Sequence, residues 1–429
     1  MTTTESAESA EVTTVPLPRS LAWSLGSGTV LSGLNSALIA VALIPITDHY
    51  GSAAAIPWLI SSFYIASAVG SPAAGRLADR FGPRRVYLSG LAIVLLASLS
   101  GPFAPTAGWL VADRVLLALG TSVQFPAAMA IVRREADRRS AAVSSAIGVI
   151  ALCGQTTAAL APSLGGLLVM LVGWQGIFWV NLPLVVNSLL WVWFCTPPDP
   201  ERRPDAPKAP LLDVRLFVAH PQIATTCLRG MITFIAFYTV FYGLPQWLQV
   251  GRGLDPAQAG LLMFPVFGVG VLSTLAATRM ARRRSPEVIL TVGNSAFILA
   301  GLVLIGTAGP ESSLLLLALA AALLGIPTGF NNLGNQITLH HAAPARVAGG
   351  ASGLYRTFQY LGAALSAVLV AHLVPATDGG GSATLQAGVR HIGLVLVVIG
   401  TLLLTATLVR QRRKAVGLDN AGGRRSQRS

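Results

Sequence analysis

The chain alternates long apolar runs with short, densely charged connections. Twelve apolar stretches lie near residues 21–46, 55–74, 86–104, 107–131, 141–172, 176–196, 222–249, 258–278, 287–308, 313–338, 348–374 and 388–410. One helical crossing of a lipid core takes about 20 apolar residues. The pattern therefore predicts an all-α membrane protein of twelve transmembrane helices, with little chain left for a soluble domain. Residues 75–85, with four arginines and one aspartate, cannot cross lipid and read as a surface turn between helices 2 and 3. The interval 197–215 holds six prolines and mixed charge, which predicts an extended linker. It divides the chain into a polar start (1–20), a six-helix bundle (21–196), a linker (197–221), a second bundle (222–410) and a basic tail (411–429).

The two halves echo one another. Sliding the chain by about 203 residues places Ala74–Arg80 over Ala277–Arg283, both between the second and third helices of their half. Two parallel six-helix repeats with a central site between them are the expected arrangement.

Composition sharpens this. Only 11% of residues are charged, yet the formal net charge is +13. Placement explains the basicity: 25 of the 30 Lys and Arg residues fall in the termini and in the loops of one side, against Arg252 and Arg390 on the other. The positive-inside rule then puts both termini in the cytoplasm and makes a nucleic-acid partner unnecessary. Two lysines against 28 arginines, with abundant Ala and Gly, suggest a GC-rich bacterium and its cytoplasmic membrane. Residues 1–20 lack the order of a cleaved signal. Cys153, Cys195 and Cys227 have no metal or redox spacing. No Gly-Lys-Ser loop, metal cluster or nucleophile triad points to an enzyme or to a cofactor.

The run Gly75-Arg76-Leu77-Ala78-Asp79-Arg80-Phe81-Gly82-Pro83-Arg84-Arg85 resembles the loop between helices 2 and 3 of the major facilitator superfamily. Other segments are similar to the drug–proton antiporter branches. Residues 34–45 resemble a helix 1 motif that usually has Asp where Asn35 stands. Arg114 matches an intramembrane arginine, although Leu117 and Ala118 replace the usual Gln-Gly. Ala161-Pro162-Ser163-Leu164-Gly165-Gly166 is close to the antiporter signature Gly-Pro-x-x-Gly-Gly, and Trp174–Pro183 and Leu244–Gln249 resemble runs of a branch whose members often have fourteen helices. The resemblance implies the major facilitator fold and a monomeric, alternating-access exporter of small amphipathic or drug-like molecules, driven by protons. It implies a conformational latch at Gly75, Arg76, Asp79, Arg80, Gly82, Arg84 and Arg85, with Asp79 pairing with loop arginines and facing the start of helix 11 near Gly349–Gly353. Helix 5, with Gly148, Gly154, Ala161, Pro162, Gly165 and Gly166, becomes a sliding surface between the halves; close packing alone is the other reading.

Residue chemistry supplies the remaining expectations. Arg114, Arg229 and Arg356 lie within helices, where a charge faces a cavity or a partner. Asn35, Gln124, Gln155, Tyr238, Tyr242, Asn331, Asn332, Asn335 and Gln359, together with Arg229 and Arg356, are candidates for lining the substrate cavity. Asp113 is the one acid well inside a helix, so Asp113 and Arg114 are the candidates for proton coupling. Asn35 cannot titrate, which keeps open a second reading: an uptake carrier or uniporter for a metabolite.

Overall fold

The computed structural model describes residues 17–51, 55–139, 144–199, 220–307, 312–343, 348–374 and 382–426. Among these residues the chain is helical, with no strand. The helices are α1 (Arg19–Tyr50), α2 (Ile56–Phe81), α3 (Pro83–Ser100), α4 (Ala107–Arg139), α5 (Ser144–Val172), α6 (Gly176–Cys195), α7 (Pro221–Arg252), α8 (Pro256–Ala281), α9 (Pro286–Gly306), α10 (Leu314–Ala342), α11 (Ala348–Leu373) and α12 (Ser382–Ser426). Nine of them, among the described residues, are long and apolar enough to cross a membrane alone. Most of the 197–221 interval, from 200 to 219, lies outside the described residues.

Helices α1–α6 pack into one bundle and α7–α12 into a second, joined chiefly where α5 meets α8 and α2 meets α11. The internal repeat is visible in the elements. Helices α1 and α7 are both 32 residues long, carry Pro45 and Pro245 near the same end, and stop at Gly51 and Gly253, each with φ of 62°. Helices α2 and α8 are both 26 residues long.

Three elements run well beyond the apolar stretches. Helix α2 continues through Phe81, so of the expected 75–85 surface turn only Gly82 is non-helical, and α3 starts at Pro83. Helix α4 continues to Arg139 after a break at Val123. Pro126 has no N–H to offer the preceding turn, which accounts for the interruption. Arg133, Arg134, Arg138 and Arg139 therefore sit on a helix end and not in a free loop, with Glu135 bonded to the last two. Helix α12 continues through the basic tail to Ser426.

One end of the molecule carries the arginine-rich connections and is called the basic face here. The bundles touch in the half away from it. Ser61 donates to the Ala364 carbonyl at 2.9 Å, Gln249 to that of Val41 at 3.3 Å, and Ser163 to that of Gly260 at 3.3 Å. Helices α5 and α8 are so close there that a single methyl group at Gly166 would meet the Pro256–Ala257 backbone, and one at Gly260 the Pro162 carbonyl. Toward the basic face the contact lapses. Thr357 still reaches the Ala68 carbonyl at 3.3 Å. Gly75 and Gly353, one or two turns further along the same helix faces, each have space for a methyl group with nothing within 4 Å. A gap between the bundles thus opens on the basic face.

Candidate functional site

The gap ends in an aromatic roof contributed by both bundles. Tyr64 of α2 packs against Tyr238 and Tyr242 of α7, at ring separations of 5.2 and 6.4 Å, and against Tyr360 of α11 at 6.1 Å. A buried tyrosine in a lipid-spanning segment needs a partner for its hydroxyl. The Tyr242 hydroxyl donates to the Ser36 carbonyl of α1 at 2.8 Å, so the 2.7 Å bond between the two tyrosines has Tyr64 as donor. This chain ties α2, α7 and α1 together across the bundle boundary.

Behind the roof lies Arg114, 1% exposed. Its Nε donates to the Leu59 carbonyl of α2 at 3.2 Å and its Nη1 to the Asn35 carbonyl of α1 at 3.1 Å. The guanidinium lies over the Phe63 ring, 4.5 Å from its centroid. Among the described residues no carboxylate is within ion-pair distance of it. Two carbonyl dipoles and a ring face take the place of a counter-ion.

The Asn35 side chain points into its own bundle. Asn35 and Asn181 of α6 form a reciprocal amide pair, each donating to the other's oxygen at 2.9 Å, while the second Asn35 N–H bonds the Leu31 carbonyl at 2.8 Å. The position where the resemblance expects an acid is filled by a neutral clasp. Asp113 also turns away from the gap. One carboxylate oxygen accepts from the Ser100 hydroxyl and the other is buried beside Gly101 without a partner. Although adjacent in sequence, Asp113 and Arg114 face different neighbours, as a 100° step per residue dictates.

Arg356 is the cation in the gap. It extends from α11 over the Phe125 ring of α4 in the other bundle, 5.1 Å from its centroid, remains accessible to solvent, and reaches the Tyr360 hydroxyl at 3.4 Å. Arg229 instead turns within the second bundle, where its Nε bonds the Asn335 side chain. Asn331 donates to Asn294 at 3.1 Å, and Asn294 to Thr407 at 3.2 Å, so these amides stitch α10, α9 and α12 together. Asn332 is exposed and accepts from Gln336. Gln124 is fully buried and bonds the Gly120 carbonyl at 3.1 Å, at the crossing of α3 and α4. Gln359 is buried on α11. The Gln155 side chain and the surroundings of Gly148 lie outside the described residues.

At the turn between α2 and α3, Gly82 has φ of 93°, and a side chain there would strike the Asp199 carboxylate. Asp199 accepts from the Arg84 and Arg85 amides at 3.1 and 2.8 Å and pairs with Arg134 at 2.9 Å. It thereby caps α3 and joins the ends of α2, α4 and α6. Arg84 donates to the Trp193 carbonyl at 2.6 Å, and Arg80 lies over the Phe81 ring. The side chain of Asp79, the expected latch acid, and the surroundings of Gly349 and Gly350 lie outside the described residues. In helix α5, Ala161 and Pro162 are buried and Gly165 packs on Leu38 and Val41 of α1.

Sequence reasoning did not single out Tyr64, Phe125, Asn181 or Asp199. Tyr64 had a usable signal, since a mid-span tyrosine calls for a polar partner. Asp199 had none, because its partners are about a hundred residues away.

Comparison with known proteins completes the picture. The profile described as Major Facilitator Superfamily matches residues 25–367. The uncharacterized MFS-type transporter YwoD of Bacillus subtilis is 28% identical over 88% of this chain and 93% of its own. The tetracenomycin C resistance and export protein of Streptomyces glaucescens is 25% identical over 85% of this chain and 77% of its own. A crystal structure of a mutant nucleoside transporter, NupG, superposes with a TM-score of 0.75 at 15% identity, over 91% of this chain and 99% of that one, a likeness of fold. With its profile match, its two six-helix bundles and the gap between them, the chain belongs to the major facilitator superfamily of membrane transporters.

Proposed function

We propose that this transporter is a secondary active exporter of small amphipathic molecules, working by alternating access in exchange for protons in a bacterial cytoplasmic membrane. The observation that carries the reading is the gap itself. It is sealed by Tyr64, Tyr242 and the α5–α8 seam at one end, and it opens on the arginine-rich face. The positive-inside rule places that face in the cytoplasm, with both termini. A substrate enters from the cytoplasm and leaves when the roof and seam part. Similarity to an export protein and the antiporter-like run at 161–166 both support the outward direction.

Asp113 is the proposed proton carrier. Its unpartnered oxygen is held in a buried site near the outer ends of α3 and α6, where protonation neutralises an uncompensated charge. Arg114 ties that helix to α1 and α2, so movement of α4 is felt at the roof. Uniport is the second reading, favoured by the Asn35–Asn181 amide pair where a titrating acid is the family pattern.

Everted vesicles test this. Acidifying their lumen should drive dye uptake, and Asp113→Asn should abolish it while the protein stays at its normal level. Uptake that survives both an uncoupler and Asp113→Asn, still following the dye gradient, would establish uniport.

A further inference from the structure

The charge in the gap bears on what is carried. Arg356 lies between Phe125 of one bundle and Tyr360 of the other, accessible to solvent, with a ring face and a phenol as its partners. A second guanidinium, Arg114, stands behind Tyr64 and Tyr242, with no carboxylate within ion-pair distance among the described residues. The acids whose side chains are described are engaged elsewhere or stand at helix ends. Asp113 bonds Ser100, Glu135 bonds Arg138 and Arg139, Asp199 caps α3 and Asp255 caps α8. The described walls of the gap therefore combine an aromatic surface with excess positive charge.

We infer that the substrates of this transporter are aromatic organic anions, whose rings lie against Tyr238 and Tyr360 and whose acidic group pairs with Arg356. A planar guanidinium held between two rings presents its remaining N–H donors in a fork suited to a carboxylate or sulfonate. Stacking on the tyrosines serves any flat ring, so charge selects and shape follows. A cationic amphiphile meets the same rings but two like charges and, among the described residues, no acid.

The inference rests on the exporter reading for the direction of transport only; the charge preference is a binding property and is tested as one. Fluorescein, an anion, and a cationic rhodamine ester share a ring system. Each is titrated with the full-length chain in nanodiscs of neutral lipid, with fluorescence anisotropy as the readout and empty nanodiscs as the blank. Fluorescein is expected to bind about tenfold tighter than the rhodamine, the worth of one charge-assisted hydrogen bond. Arg356→Gln should erase that preference and Arg356→Lys should keep most of it, which separates loss of charge from loss of fold. Equal or tighter binding of the rhodamine by the parent chain overturns the inference, as does a preference unchanged in Arg356→Gln. Selective binding of fluorescein by a protein that takes the dye into cells leaves the charge assignment standing and overturns export.

Discussion

Arg114 is held by two backbone carbonyls and one ring, and this arrangement is specific to a guanidinium. Lysine carries the same charge but offers one compact group, which cannot satisfy both carbonyls and stack at once. Arg114→Lys should therefore lower transport about tenfold or more, the cost of one lost charge-assisted bond, with membrane levels unchanged by immunoblot. The roof makes a finer test. Tyr242→Phe removes the donor to Ser36 and the acceptor for Tyr64, at about 1 kcal/mol net per bond. The closed roof loses population, so a cysteine placed at Ser61 should label several-fold faster from outside with an impermeant maleimide. Unchanged labelling would mean that the two hydroxyls do not hold the roof. Asp199→Asn should weaken the capping of α3 and the pairing with Arg134, lowering stability by about 1–2 kcal/mol in a thermal unfolding assay. These residues also mark what sequence reading reaches. Arg114 was legible because a lone charge in an apolar run requires a reason. The Tyr64–Tyr242 bond joins residues 178 apart, and no local spacing reveals it.

Helices were legible where burial in lipid forces apolar composition, and their ends were less so. The apolar run of helix 4 ends near residue 131, but α4 continues to Arg139, because Glu135 and the arginines around it sustain the helix at the membrane surface. Seams between helices follow a different logic, in which the smallest residues mark the closest approach. Gly260 lies against Pro162 now, whereas Gly353 faces open space. Alternation makes opposite demands on the two. Gly260→Leu should hold the seam open, and Gly353→Leu should leave the present conformation intact but block closure of the basic face. Both variants should lose transport. Labelling of the Ser61 cysteine from outside should rise in the first and stay low in the second. If the two variants label alike, the bundles do not rock about the central site in the way proposed.

At the scale of the whole molecule, a gap lined by arginine and a membrane potential negative inside act in concert. Moving one elementary charge across the bilayer is worth about 2.3 kcal/mol per 100 mV, or roughly fifty-fold in concentration. An anion leaving the cell moves with that field. Export of a singly charged anion for one proton transfers two charges per cycle, export of the anion alone transfers one, and exchange of a cation for a proton transfers none. The charge of the substrate therefore decides whether the potential can drive the carrier at all. Everted vesicles loaded by valinomycin and potassium to a lumen-positive potential, at equal pH on both sides, should accumulate radiolabelled naphthalene sulfonate. The slope of that accumulation against the imposed potential distinguishes the two mechanisms, since two charges give twice the logarithmic slope of one. Arg356→Gln should lose the accumulation, and reversing the potential should empty the vesicles. Accumulation that follows an imposed pH gradient yet ignores the potential would mean that no net charge crosses, and the anion reading would fall with it.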